Sequence, residues 1–108
     1  METSELTIRA MNIFQLYKEL NKRENHVEWC ESEVMMGFVG DVGDLMKLVM
    51  AESNLRQIPD SKEKIAHELA DCLWSILVLS KLHKIDIENA FIKTMTNLEE
   101  KIQKKLDQ

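Results

Sequence analysis

Apolar residues recur three or four positions apart along nearly the whole chain, and no segment alternates apolar and polar residues. Spacings of three and four place side chains on one face of an α-helix, whereas a half-buried strand needs alternation. The chain has 108 residues with three glycines and one proline, so helices have few places to break. The sequence therefore predicts an all-α protein that forms one domain over residues 1–108.

Four helices follow from the positions where the periodic pattern stops. The clearest interruption is Asn54–Ser61, which holds the proline, and Asp60 followed by Glu63 is typical of a capping box that opens a helix. Asp86 is the predicted N-cap of the last helix. The short connections favour an up-and-down four-helix bundle. The predicted helices span about 3–22, 29–53, 61–83 and the stretch after residue 86.

Apolar side chains surround nearly the whole circumference of the third predicted helix between Leu69 and Leu82. A helix that is apolar all round is normally buried all round, which a monomer of this size cannot provide. Trp74 lies opposite Cys72 and Leu79 on this helix, so we expect it to face outward onto a second copy. The sequence therefore predicts at least a homodimer, and a monomer with a few exposed apolar residues is the alternative.

Charge and composition argue against several classes of partner. With 14 Lys and Arg against 19 Asp and Glu, the formal charge is −5, which does not favour binding to a nucleic acid duplex. The longest apolar stretch, Leu73–Leu79, is far shorter than the roughly 20 residues of a membrane span. The two cysteines are not a C-x-x-C pair, and no basic and apolar leader opens the sequence. We therefore expect a cytoplasmic protein with no membrane partner.

Acidic side chains occupy positions where the predicted helices should bury apolar ones. At about 100° per residue, Asp41 falls within the apolar arc of the second helix, and Asp44 lies at its edge. In the third helix Glu68 lies on an apolar face, with Asp71 one turn further on. Two neighbouring antiparallel helices would bring both pairs together, so the sequence predicts a cluster of four carboxylates.

Such a cluster needs a positive partner, because an uncompensated buried carboxylate costs several kcal/mol or takes up a proton. The neighbouring inward positions are aliphatic, which favours a divalent cation. Mg²⁺ is the predicted ion, since it accepts carboxylates and keeps positions open for water and phosphate, and Mn²⁺ could replace it. A di-iron centre is disfavoured, because no histidine has Glu three residues before it. Alternatively, Asp41 and Asp44 cap or fray a glycine-containing helix, while Glu68 and Asp71 face solvent.

The residues around these carboxylates resemble a known family. Val39-Gly-Asp-Val-Gly-Asp-Leu45 followed by His67-Glu-Leu-Ala-Asp-Cys-Leu-Trp74 is similar to the E-x-x-E … E-x-x-D signature of the all-α nucleoside triphosphate pyrophosphohydrolases. This group includes MazG-like enzymes, dimeric dUTPases and dCTP pyrophosphatases, and the resemblance spans about residues 34–101. It implies a four-helix bundle, a dimer or tetramer, and Mg²⁺-dependent hydrolysis between the α and β phosphates, which cleanses nucleotide pools.

The resemblance transfers metal-ligand roles to Asp41, Asp44, Glu68 and Asp71. The family usually has Glu at the first two positions, and each Asp is one methylene shorter, so the metal must lie nearer the second helix or lose a ligand. This departure leaves a second interpretation, in which the chain is a degenerate relative that serves as a nucleotide-binding or protein-interaction module.

Further roles are expected for residues outside the carboxylate cluster. Lys93 and Asn97 match the family's K-x-x-x-N on the last helix. Lys93 is expected to contact the phosphates during catalysis, and Asn97 to donate a hydrogen bond to sugar or phosphate; an exposed helix face is the alternative. Glu68, by its reach, would orient or deprotonate the attacking water. The available stacking surfaces for a base are Phe38, Trp29 and Trp74.

Overall fold

The structure is a computed structural model that describes residues 2–25, 28–53 and 58–108. These residues form four helices and no strand, which confirms the all-α, four-helix prediction. The largest boundary difference lies at the end of the first helix, predicted at residue 22 and observed at Asn25. Residues 54–57 of the predicted connection lie outside the described residues. The helices are α1 (Thr3–Asn25), α2 (Glu31–Ser53), α3 (Ser61–Leu82) and α4 (Ile87–Leu106).

Helices α2 and α3 pack side by side and run antiparallel. At one end the Ser61 hydroxyl donates a hydrogen bond to Glu52 Oε1 over 2.9 Å. At the other end His83 Nε2 pairs with Glu31 Oε1. Because these contacts join the start of each helix to the end of the other, the middle turns of α2 and α3, which carry the acidic residues, lie next to each other.

Helix α1 packs against α3, and the core forms where α1, α2 and α3 meet. Val78 of α3 is fully buried, and Val34 of α2 is 1% exposed. Ala10 and Phe14 of α1 cover these residues. They are four positions apart and therefore share a helix face. The core side chains are Ala10, Phe14, Val34, Leu77 and Val78.

The capping contacts at the starts of α2 and α3 differ from the sequence-based expectation, although α3 begins at Ser61 as predicted. Asp86 is the N-cap of α4, as predicted, and its Oδ1 accepts a hydrogen bond from the Asn89 N–H over 3.1 Å. The predicted capping box at Asp60 is wrong, because Asp60 has a left-handed backbone with φ 56° and its side chain makes no capping hydrogen bond. Helix α2 instead has an unpredicted capping contact, in which the Cys30 N–H donates to Glu33 Oε2 over 2.9 Å.

The prediction that Trp74 faces outward is also wrong. Its indole N–H donates to the carbonyl oxygen of Ala10, and its ring packs 5.8 Å from the ring of Tyr17. Helix α1 therefore covers the side of α3 that the predicted partner was to cover. Three exposed apolar side chains of α3 lie together on another face, at Leu69, Leu73 and Ile76.

Helix α4 contacts the rest of the chain sparsely. Ile87 at its start packs against the core, and no residue of α4 is buried. Its exposed apolar side chains include Phe91, Leu98 and Ile102. None of the described helices combines the length and the apolar character needed to cross a membrane.

Candidate metal centre

The four predicted carboxylates converge where the middle turns of α2 and α3 meet. Asp41 and Asp44 extend from α2, and their carboxylates lie with that of Glu68 in a group whose oxygens are within 4.8 Å of one another. His67, Glu68 and Asp71 form a second group, whose possible ligand atoms also lie within 4.8 Å of one another. Because Glu68 belongs to both groups, the described residues form one continuous cluster of possible metal ligands, which we call the carboxylate cluster.

The electrostatics of this cluster are those of acids crowded together. Burial raises the pKa of Asp41, and repulsion from Asp71 and Asp44 raises it further. Burial also raises the pKa of Glu68, followed by repulsion from Asp41, Asp44 and Asp71. A cation placed among the oxygens would reverse this repulsion, because opposite charges favour the ionised form.

One oxygen of Glu68 is unsatisfied. Glu68 Oε2 is buried and has no hydrogen-bond partner among the described residues. Buried polar atoms without partners are rare, and each one calls for an explanation such as an ion or a water. The donor set is dominated by carboxylate oxygens, which are the ligands that Mg²⁺ and Mn²⁺ prefer. The residues present therefore fit a divalent metal ion.

His67 is a member of the second ligand group that was not predicted from the sequence. Its Nε2 lies 3.1 Å from Asp71 Oδ2, one helical turn away, and its side chain is mostly exposed. The i and i+4 spacing of His67 and Asp71 was the available signal, since such residues share a helix face. His67 thus lies where it could supply a ligand atom or orient Asp71, because a ring N–H that hydrogen-bonds a carboxylate fixes its position.

Cys72 lies buried beside the carboxylate cluster. Burial raises the pKa of its thiol, and the charges of Asp41, Glu68 and Asp71 raise it further. A thiol held protonated in this way is a poor nucleophile. Cys72 is therefore a poor candidate for a catalytic nucleophile.

A cavity of about 510 Å³ opens next to the carboxylate cluster, between α1, α2 and α3. Asp41 and Asp71 line one part of it. Its walls include three aromatic side chains, of which two were predicted stacking candidates and Tyr17 was not. We call this space the aromatic cavity; it is lined by Ile13, Tyr17, Trp29, Glu33, Val34, Gly37, Asp41, Ala70, Asp71, Trp74 and Ser75.

Three residues predicted to bind substrate lie elsewhere. Phe38 is half-buried on α2 and is not part of the wall of the aromatic cavity. Lys93 and Asn97 are exposed on α4, and neither belongs to the two ligand groups or to this cavity. Their roles stay predictions.

The comparison with protein families agrees with this geometry. The profile of the MazG nucleotide pyrophosphohydrolase domain matches residues 34–105, which contain the whole carboxylate cluster. No curated protein and no solved structure gives a significant match. The match covers two thirds of the chain, and the chain therefore belongs to the MazG nucleotide pyrophosphohydrolase family.

Proposed function

We propose that the chain is a Mg²⁺-dependent nucleoside triphosphate pyrophosphohydrolase, which cleaves a nucleotide between its α and β phosphates and releases a nucleoside monophosphate and pyrophosphate. The family supplies the reaction class. The observation that carries the proposal is the buried, unpartnered Oε2 of Glu68 within the carboxylate cluster. A buried oxygen that is left unsatisfied is destabilising, and a cation bound among these carboxylates would satisfy it.

The proposed metal ligands are Asp41, Asp44, Glu68 and Asp71. When bound, the divalent ion neutralises negative charge on the triphosphate and lowers the pKa of a coordinated water. Glu68 is the proposed group that orients or deprotonates the attacking water, since its second oxygen is not engaged by the protein.

Lys93 and Asn97 are the proposed partners of the phosphates and the sugar. Both lie on α4, which makes sparse contact with α2 and α3, so a second copy of the chain is the simplest way to bring them to the carboxylate cluster. The exposed apolar side chains of α3 and α4 support this arrangement, because large apolar patches of monomers are unusual. We therefore propose a homo-oligomer, dimeric or tetrameric.

The test is an assay of pyrophosphate release from a panel of canonical nucleoside triphosphates, with Mg²⁺, with Mn²⁺ and with chelator. We expect release that requires a divalent ion and that disappears in Glu68→Gln. Glu63→Gln is the matched control, because Glu63 lies on the same helix in its first turn and outside the carboxylate cluster. Nucleotide or partner binding without hydrolysis would instead favour the degenerate, non-catalytic relative.

A further inference from the structure

Resting on the proposed function, we infer that the aromatic cavity holds the nucleobase of the substrate, and that Glu33 selects bases with an exocyclic amine over uracil and thymine. Such an amine lies at C4 of cytosine and at C6 of adenine, whereas uracil and thymine carry the carbonyl oxygen O4 there, and guanine carries O6. The inference rests on the position of the cavity, on its aromatic wall and on the chemistry of Glu33.

The position of the cavity suits a nucleotide. Asp41, Gly37 and Glu33 follow one another at intervals of four residues along α2, so they share one helix face. At 1.5 Å per residue, Asp41 and Glu33 lie about 12 Å apart along the helix axis. A nucleotide carries its base and its phosphates on opposite sides of the sugar. With the phosphates at the carboxylate cluster, the base extends along this face toward Glu33.

Three aromatic rings form the wall that a base would contact. The ring of Trp29 lies 5.1 Å from that of Tyr17 and 6.2 Å from that of Trp74. These rings already touch one another, so a base stacks on their cavity side and does not enter between them. Base stacking on aromatic side chains is tolerant of sequence because every base has a π-face. The wall therefore provides affinity for any base, and selection requires a polar group.

Glu33 is the polar group at this end of the cavity. Its Oε2 accepts hydrogen bonds from the Cys30 N–H over 2.9 Å and from the Cys30 thiol over 2.9 Å. Ser32 donates to the same oxygen over 3.1 Å. These bonds hold the side chain in place, and no hydrogen bond to Oε1 is present within the described residues. Glu33 lines the cavity, and its carboxylate is thus held in place and accepts hydrogen bonds without donating them when ionised.

An ionised carboxylate discriminates between amines and carbonyls. The hydrogen bonds from Cys30 hold the pKa of Glu33 at about 2, so it is ionised at neutral pH. The amine of cytosine donates to such an oxygen, whereas O4 of uracil or thymine opposes it. Cytosine gains a hydrogen bond to a charged group and avoids the repulsion that uracil meets. Together these two effects correspond to about tenfold tighter binding of cytosine.

Gly37 leaves the middle of the cavity open. A Cβ atom at this position would meet no atom of a neighbouring element within 4 Å. A side chain at this position can therefore begin without a clash, and a larger one would occupy the cavity that Gly37 lines. Gly40 provides a matched control, since it has the same free space, lies on the same helix and does not line the cavity.

The experiment measures the binding of 2′-deoxycytidine and 2′-deoxyuridine, with chelator present, from the fluorescence of the two tryptophans, both of which line the cavity. These nucleosides have the same shape and lack phosphates, so the result does not depend on metal or hydrolysis. We expect deoxycytidine to bind about tenfold more tightly than deoxyuridine. Equal affinities, or no binding of either, would overturn the inference.

Two variants sharpen the result. Gly37→Leu should abolish nucleoside binding while Gly40→Leu retains it, with helical circular dichroism unchanged in both. Glu33→Gln keeps an oxygen for the Cys30 contact and removes the charge, so it should reduce the preference for deoxycytidine to about twofold or less. Binding that survives Gly37→Leu, or a preference that survives Glu33→Gln, would contradict the inference.

The inference and the proposed function can fail separately. Selective nucleoside binding by a protein that releases no pyrophosphate from any triphosphate would support base binding in the aromatic cavity and contradict the proposed hydrolase activity. Conversely, Mg²⁺-dependent hydrolysis that is equally fast for dCTP and dUTP would support the proposed hydrolase activity and contradict the selection of the base by Glu33.

Discussion

The indole N–H of Trp74 donates a hydrogen bond to the main-chain carbonyl oxygen of Ala10, 3.1 Å away. The two residues are 64 positions apart in the sequence, so this bond joins α3 to α1 directly. It fixes the plane of the Trp74 ring against Tyr17 and Trp29, and these rings form the wall of the aromatic cavity. One hydrogen bond thus stabilises the fold and shapes the candidate site.

Trp74→Phe should lower the free energy of unfolding by about 1 kcal/mol, because Phe keeps an aromatic ring and loses the hydrogen bond. In a domain of this size the corresponding change in Tm is about 4–8 °C. Urea unfolding followed by circular dichroism gives the value. Trp29→Phe is the control, because no hydrogen bond from its indole N–H is present within the described residues. An equal decrease in the free energy of unfolding in the two variants would show that the hydrogen bond to Ala10 contributes nothing to stability.

Glu68→Gln should raise the Tm of the metal-free protein and abolish the increase in Tm that Mg²⁺ produces in the unchanged chain. The variant removes one of several mutually repelling charges, which stabilises the fold, and it also removes a ligand shared by both groups of the carboxylate cluster. Thermal unfolding with chelator and then with millimolar Mg²⁺ measures both effects. An unchanged response to Mg²⁺ would exclude Glu68 as a ligand.

Asp44→Asn should weaken Mg²⁺ binding more than His67→Gln does. Mg²⁺ prefers oxygen ligands, and the group formed by Asp41, Asp44 and Glu68 contains only carboxylates. The imidazole of His67 is a better ligand for softer ions, so His67→Gln should affect Mn²⁺ more than Mg²⁺. Isothermal titration with each ion tests the order. The reverse order would assign Mg²⁺ to the group that contains His67.

The contribution of Glu33 to stability should depend on pH. Hydrogen bonds from the Cys30 thiol and then the Cys30 N–H lower the pKa of Glu33 from 4.5 to about 2. A carboxyl group with a lowered pKa in the folded state stabilises the fold above its unfolded pKa, and the contribution is lost as pH falls through the folded value. Glu33→Gln should therefore have a lower Tm than the unchanged chain at pH 6, and the difference should shrink toward pH 2. A difference that is constant over this range would contradict the prediction.

The carboxylate cluster was predictable because it depends on local geometry. The angle of Asp41 or Glu68 around its helix follows from 100° per residue, and a short connection makes α2 and α3 antiparallel neighbours. The clustering of the four acids in the structure agrees with this expectation. Neither step needs information about distant parts of the chain.

The prediction that Trp74 faces outward failed because a helical wheel gives only the direction of a side chain around its helix. It does not show which element of the chain packs against that side. The position of α1 against α3 depends on packing of residues such as Ala10 and Phe14, which are far away in the sequence. The aromatic cavity was missed for the same reason, since α1, α2 and α3 all contribute to it.

The predicted capping box at Asp60 failed for a local reason, although α3 begins at Ser61 as predicted. The spacing of Asp60 and Glu63 matches a capping box, but a left-handed backbone at Asp60 is incompatible with the extended conformation that an N-cap residue adopts. Cys30 and Glu33 have the same spacing, yet cysteine is not a typical capping residue, so the rule does not find them. The structure identifies Glu33 through its hydrogen bonds.

The last prediction concerns Lys93, which the proposed function brings to the carboxylate cluster from a second copy. Lys93→Ala and Glu68→Gln should each have strongly reduced activity alone. When the two variants are unfolded together and refolded as a mixture, half of the dimers contain one chain of each kind. In these dimers one site combines an intact Glu68 from one chain with an intact Lys93 from the other, so activity should return to about a quarter of the unchanged level, as expected for a symmetric dimer. Each variant taken through the same treatment alone is the control. If the mixture stays as inactive as its components, Lys93 does not complete the site of a partner subunit.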